Sequence, residues 1–162
     1  MALYMVRAGK NGEREDYALE NNVVAAGWSW IQRDLSTINS RDELRNLLDQ
    51  VYSADYSPAT IGNWLGQLSF LLFEMKPGDL VAIPLKKRRN VAIGEIASRY
   101  YYAKDNSPDF RHLVKVKGWK EIPRSHFDPD LQGVGAFNAP VTIRLIKKDG
   151  AEERVREMLR KK

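Results

Sequence analysis

The sequence predicts an α+β fold in which an antiparallel or mixed β-barrel carries flanking helices. With 162 residues, the chain is most simply one domain, long enough to bury a core without disulfides or metal ions. Its hydrophobic pattern indicates about five or six strands and three or four helices. Several strands adjoin through hairpins rather than helical crossovers, which favours this class over a doubly wound parallel sheet.

The first part of the chain reads as two strands around a short helix. Residues 3–7 are rich in strand formers, and residues 8–12 have the glycine and asparagine content of a turn. Residues 13–20 predict a short helix, and residues 23–27 predict a buried strand. Residues 28–39 show no sustained period and predict a loop.

Two helices with clear start signals follow. Ser40 precedes Glu43 by three positions, as a capping box requires, and leucines then recur at helical spacing. Ser57 and Pro58 predict the second start, with serine as N-cap and proline at the first helical position. The apolar stripe of this helix consists of Ile61, Trp64, Leu65, Leu68, Leu71, Leu72 and Met75.

The second half of the chain is rich in strands. Residues 80–84 and 91–96 predict a hairpin with a basic tip, and Tyr100–Tyr102 are expected to end its second strand. Residues 111–119 alternate, with two valines on one face and two lysines on the other. Residues 141–145 predict a further strand, and Asp149 is expected to cap a last helix.

Composition excludes several classes of site. The chain has no cysteine, so disulfides, thiolate zinc sites and cysteine nucleophiles are absent. No segment has the length of a membrane span, and we therefore expect a cytoplasmic protein that does not contact membranes. The net charge of +5 favours a polyanionic partner. The densest basic cluster, without interleaved acids, is Lys86, Lys87, Arg88 and Arg89 at the predicted hairpin tip, where we expect phosphate contacts.

Catalytic and metal-binding patterns are weak. The two histidines lie on different segments with no carboxylate at ligand spacing, and His112 is expected to be partly exposed on its strand. The common nucleophile and nucleotide motifs are missing. Asp79 and Glu95 approach the pattern of a metal-dependent nuclease, but the lysine expected two residues after Glu95 is Ala97. We expect a binding domain without cofactor or metal, with the nuclease as the less favoured alternative.

Aromatic residues beside the positive charge are the most informative feature. In the segment GWSW, Trp28 and Trp30 would lie on one side of a continuing strand, about 7 Å apart. Two indoles on one face either fill a core or grip a flat ligand, and the sequence favours both equally. Trp64 is expected to be core because of its helical spacing. A base is held by stacking and a phosphate by cations, so this combination is typical of nucleic-acid binding.

Several segments together resemble the PUA-like superfamily that includes EVE and YTH domains, particularly the modified-base-reading N-terminal domains of Mrr-type restriction endonucleases. They are YMVRAG, VVAAGW, FEMKPGDLVAIPLKKRRNVAIGEIASRYYY and HLVKVKGWKEIP. The resemblance implies a small, strongly curved β-barrel with flanking helices over residues 1–149. Residues 34–57 form a helical insertion without counterpart in YTH readers. Residues 150–162 would then be a helix connecting to a nuclease domain outside this chain.

The resemblance also implies a mechanism, in which one nucleotide is extruded into an aromatic cage. Trp28 corresponds to the principal cage wall and Trp30 to a second candidate. Tyr100 and Tyr102 follow the matching strand and are further candidate walls. Ser29 and Asn63 are candidates for hydrogen bonds to the edge of the base. The expected partner is double-stranded DNA with a methylated or otherwise modified base, and an RNA reader of the same fold is the alternative.

Overall fold

Two β-sheets and five α-helices form the fold in the computed structural model, which describes residues 1–138 and 140–161. The larger sheet is mixed, with strand order β7-β4-β3-β1-β8. Only its β1–β3 pair is parallel among the strands described. Its strands are β1 Leu3–Val6, β3 Leu80–Pro84, β4 Asn90–Glu95, β7 Lys120–Pro123 and β8 Ile143–Leu145. The α+β class is confirmed.

A second, antiparallel sheet has strand order β2-β6-β5. Its strands are β2 Val23–Ala25, β5 Tyr101–Tyr102 and β6 His112–Lys115. Tyr101 pairs with Leu113, and Tyr101 and Tyr102 form β5 of this sheet. The prediction that the tyrosine triplet ends the second hairpin strand, β4, is therefore wrong. The chain bends between Glu95 and Tyr101, which separates the two strands.

The described strands do not close into a barrel, so that expectation is wrong. Barrel closure needs a continuous circuit of paired strands. Here the two sheets are joined through an isolated antiparallel bridge between Ile96 and Val116 and the hydrogen bonds around it. β7 and β8 remain edges of one sheet, and β2 and β5 remain edges of the other.

The helices are α1 Glu15–Asn21, α2 Arg41–Tyr52, α3 Pro58–Ser69, α4 Pro129–Gln132 and α5 Ala151–Arg160. Both predicted N-caps are confirmed: Ser40 Oγ accepts the Glu43 amide at 3.2 Å, and Ser57 Oγ accepts the Thr60 amide at 3.2 Å. The second of these helices, α3, ends at Ser69, and the chain then continues as a π-helical turn, Phe70–Glu74. Gly150, with φ 62°, precedes α5, so the predicted Asp149 cap is wrong. Residue 162 lies outside the described residues.

Hydrophobic clusters cover both faces of the larger sheet. Tyr4 and Val6 of β1 pack into a cluster with the leucines of α2 and α3. Leu3 and Met5 of the same strand face a second cluster, which includes Ala151 and Val155 of α5. The alternation of side chains along a strand explains this division. Within residues 1–138 and 140–161, no helix is both long and apolar enough to cross a membrane.

Candidate nucleic-acid interface

The GWSW segment is a turn rather than a strand. β2 ends at Ala25, and Gly27 and Trp28 then adopt φ angles of 93° and 49°. The Ile31 amide donates to the Trp28 carbonyl at 3.0 Å. The prediction that Trp28 and Trp30 share one face of a strand is therefore wrong. A left-handed conformation is uncommon for a bulky residue such as tryptophan, and such residues cluster at binding sites.

Trp28, Ser29 and Trp30 nevertheless line one open cavity of about 330 Å³. Trp28 is half-buried, with part of its ring packed against the main core cluster. Among the remaining lining residues, which also include Asp109, we call the aromatic ones the aromatic half and the cationic ones the basic half. The aromatic half adds Tyr52, Tyr56 and Trp64, and the basic half consists of Arg7, Lys10 and Arg14.

Four aromatic rings form a contiguous cluster at the cavity. Trp30 stacks on Tyr52, with ring centroids 5.2 Å apart and planes 17° apart. Tyr56 lies 5.6 Å from Trp30 and 4.7 Å from Trp64. The Trp30 and Tyr56 residues are 48% and 39% exposed, so their rings are available to a ligand. Trp64, which was expected to be core, is half-buried and lines the cavity.

Sequence reasoning missed Tyr52 and Tyr56 as cavity residues. Tyr52 is the last residue of α2 and Tyr56 lies in the turn that leads to α3. Their four-residue spacing at the end of a predicted helix was the signal that could have identified them. Burial raises the pKa of Tyr52 above the ordinary value of 10.0, so its phenol stays neutral at physiological pH.

Two arginines of the basic half form no ion pair with a carboxylate in the part of the chain that the structure describes. Arg14 donates from Nε to the Ala25 carbonyl at 3.0 Å and from Nη2 to the carbonyls of Ala26 and Arg7 at 3.3 and 3.4 Å. Burial lowers the pKa of Arg14, and nearby Asp109 partly opposes this shift. The Arg7 Nε atom is buried and has no hydrogen-bond partner among the described residues. Neither arginine forms an ion pair within residues 1–138 and 140–161.

Tyr100 and Tyr102 do not line this cavity, which corrects their expected position as walls. The Tyr100 ring is buried, and its hydroxyl lies 2.7 Å from His112 Nδ1 and accepts the Leu35 amide at 3.2 Å. His112 Nε2 lies 2.8 Å from the Ile31 carbonyl, which only accepts, so Nε2 carries the proton and Nδ1 accepts from Tyr100. Tyr102 packs against the His112 ring at 5.3 Å.

His112 is fully buried, so its expected partial exposure is wrong. Burial lowers the pKa of His112, which favours the neutral imidazole that this network requires. Through Ile31 and Leu35, His112 and Tyr100 anchor the loop that follows Trp28 and Trp30. Their contribution is to position the cavity wall rather than to form it.

Asn63 is also outside the aromatic cavity, although it was a candidate for the base edge. It lines a separate cavity of about 270 Å³, and its Oδ1 accepts from Gln67 Nε2 at 3.2 Å. Ser29 is the remaining predicted edge group, and it lies between the two tryptophans in the cavity lining.

The basic hairpin tip is partly neutralised, which corrects the expectation that it lacks acidic neighbours. Lys87 Nζ lies 3.1 Å from Asp16, and Arg88 donates to both carboxylate oxygens of Glu121 at 2.6 and 2.7 Å. Glu15 also accepts the backbone amides of residues 86 and 87. The side chains of Lys86 and Arg89 are exposed and form no ion pair within the described part of the chain. They are the cations of this turn available to phosphate.

The carboxylates considered for a nuclease have structural partners. Asp79 is buried and accepts the amides of Ala2 and Lys76 at 3.1 and 3.2 Å. Glu95 pairs with Lys117 at 2.7 Å, and this contact lowers the pKa of Glu95. In residues 1–138 and 140–161, no three histidine, aspartate or glutamate side chains converge to hold a metal ion.

Residues 4–132 match the family described as a domain of unknown function, DUF8426. Because the match spans most of the chain, the protein belongs to this family. No curated protein and no solved structure matches the chain significantly. The matched segment contains all of the aromatic and basic cavity residues described above.

Proposed function

We propose that the protein is a DNA-binding reader with a PUA-like, EVE/YTH-related fold, which holds one extruded modified base in the cavity beside Trp28 and Trp30. The observation that carries this proposal is one cavity in which exposed indole and phenol rings lie with arginines that form no ion pair within the described residues. Stacking surfaces beside cations are what the base and the phosphate of one nucleotide require.

The energetics of base extrusion fit this arrangement. Removing a base from a duplex costs a few kcal/mol of stacking and pairing. An aromatic stacking contact returns about 1–3 kcal/mol, so stacking of the base on Trp30 would offset much of that cost. Trp30 is already supported from behind by Tyr52, which limits the side-chain entropy lost on binding.

Recognition of a modification requires more than apolar area. Burying one added methyl group changes the binding free energy by only about 0.8 kcal/mol, which corresponds to about a fourfold difference in affinity. The cavity, at about 330 Å³, is at the lower end of the range of roughly 300–1,000 Å³ for ligand sites, so its shape can discriminate. In this proposal the Ser29 hydroxyl, in the cavity lining, would hydrogen-bond the edge of the base. The choice of DNA and of a modified base is supported by the resemblance to Mrr-type N-terminal domains.

In this proposal the chain is the specificity module of a modification-dependent restriction system. Cleavage would belong to a nuclease domain joined to or associated with this one. The exposed Lys10, Lys86 and Arg89 side chains would contact backbone phosphates on either side of the extruded nucleotide.

The test compares duplexes of one sequence that carry 5-methylcytosine, N6-methyladenine or no modification, at one fixed salt concentration. We expect one modified duplex to bind at least tenfold more tightly than the unmodified duplex. Trp30→Ala should weaken that binding about 5- to 150-fold, the equivalent of about 1–3 kcal/mol. Trp30 is preferred to Trp28 for this purpose because it is about half exposed, whereas Trp28 packs against the main core cluster.

Tyr101→Ala is the matched control, because Tyr101 is a half-buried aromatic residue outside the cavity lining. It should leave the affinity unchanged. Equal affinity for all duplexes together with no effect of Trp30→Ala would refute the proposal. Stronger binding to single-stranded RNA of the same sequence would establish the RNA reader instead.

A further inference from the structure

The cavity described above is lined by two guanidinium groups that form no ion pair with the described residues. They belong to Arg7 and Arg14. Asp109, which is also in the cavity lining, and Glu13 act on Arg14 electrostatically without forming an ion pair with it. Unpaired charges removed from water are costly, and an anion in the cavity would offset that cost.

The backbone holds the two arginines in place before any ligand arrives. Arg14 donates to three carbonyl groups, including that of Arg7. A Cβ atom on Gly27 would lie only 2.9 Å from Arg14 Nη1, so the glycine leaves room for the guanidinium to pack on the chain. The Arg7 amide donates to the Thr142 carbonyl at 2.6 Å, which fixes the residue at the end of β1.

Arg7 has binding capacity that the protein does not use. Its Nε atom is buried and has no partner among the described residues. Because Nε is buried, a ligand in the cavity would be met by the Nη groups of Arg7, which form no hydrogen bond with the described residues. A guanidinium offers donors in a planar fork that matches two oxygens of a phosphate group.

We propose that Arg7 and Arg14 bind the phosphate group of the nucleotide whose base stacks on Trp30, so that the site recognises a nucleotide rather than a base alone. This inference rests on the proposed function for the aromatic half of the cavity. A neutral base edge could satisfy one donor, but it would not offset two positive charges. A phosphate oxygen pair satisfies both requirements.

The experiment measures the affinity of the intact protein for a nucleoside, for its 5′-monophosphate, for inorganic phosphate and for a trinucleotide without terminal phosphates. We expect the monophosphate to bind about ten- to a hundredfold more tightly than the nucleoside. Arg7→Gln should abolish that advantage, so it should weaken binding of the monophosphate far more than binding of the nucleoside. Arg144→Gln is the matched control, because Arg144 is exposed and lines the other cavity.

Comparison of the trinucleotide with the monophosphate distinguishes two possible sources of the phosphate group. A trinucleotide that binds as tightly as the monophosphate identifies a phosphodiester within a strand, whereas preference for the monophosphate identifies a terminal or free phosphate. Equal binding of nucleoside and monophosphate by the unmodified protein would overturn the inference. An equal loss of both in Arg7→Gln would also overturn it.

If Arg7→Gln does not fold, the unmodified protein still decides the question. The ¹⁵N–¹H resonance of Arg7 Nε should shift on addition of the monophosphate and stay in place with the nucleoside. A failure of the proposed function would give a different result. Modified and unmodified duplexes would then bind equally, while the protein would still prefer the monophosphate to the nucleoside.

Discussion

Replacing Tyr100 with phenylalanine tests whether this residue anchors the cavity loop or forms a wall of the cage. The substitution keeps the ring and removes only the hydroxyl, which accepts the Leu35 amide and donates to His112 Nδ1. Each buried group left without a partner costs about 1–3 kcal/mol. Relief from burying the hydroxyl offsets part of this cost, and we expect a net loss of about 2–4 kcal/mol in the free energy of unfolding.

For a protein of this size, about 1 kcal/mol changes the melting temperature by roughly 2–4 °C, so Tyr100→Phe should lower it by about 5–15 °C. Urea denaturation followed by circular dichroism measures the free energy directly. Tyr101→Phe is the control, because the Tyr101 hydroxyl forms no side-chain hydrogen bond to residues 1–138 or 140–161. A Tyr100→Phe variant within about 0.5 kcal/mol of the unmodified protein would refute this role, whereas a cage wall would retain its stacking ring.

Three further predictions concern pH, backbone strain and phosphate contact. Because burial lowers the pKa of His112 from 6.5, its contribution to stability is complete above pH 6.5 and falls below it as the unfolded chain takes up a proton. The free energy of unfolding should fall by at most about 1.4 kcal/mol per pH unit. In urea titrations between pH 6.5 and 5, His112→Gln should remove this pH dependence. The control His126→Gln, at an exposed position, should retain it. Gly27→Ala should cost about 1–3 kcal/mol in the same titrations, because φ 93° is a left-handed conformation; a neutral result would contradict the described turn. Arg89→Ala should reduce the slope of log affinity against log salt by about 0.9, and Arg88→Ala, which already has a carboxylate partner, should change it less; equal slopes in both variants would contradict this.

The parts of the fold that depend on local interactions could be predicted from the sequence. Ser40 and Ser57 cap α2 and α3 as expected, because a cap joins groups only three residues apart. The hairpin of β3 and β4 was likewise predictable, since two strand-forming runs flank a short polar tip. The barrel was not, because closure depends on which distant edges pair, and Ile96 and Val116 form only an isolated bridge.

Some residues of the candidate site could likewise be predicted from the sequence and others could not. Trp28, Ser29 and Trp30 were expected at one site and do line one cavity, although a turn rather than a strand brings them together. Tyr52 and Tyr56 join them only because α2 packs beside that turn. Tyr100 shows the opposite case, in which an expected wall proves to be buried.

The sequence by itself determined the class of fold, the N-caps of α2 and α3, the β3–β4 hairpin, and the concentration of aromatic and basic residues that suggests a nucleotide ligand. Only the tertiary structure decided which of those residues face one cavity and which cations remain without partners. Glu121 neutralises Arg88 from 33 positions away, while Arg7 retains an unsatisfied Nε beside Arg14. The reason is physical: capping and periodicity act between near neighbours, whereas burial and ion pairing depend on distances that only the folded chain defines.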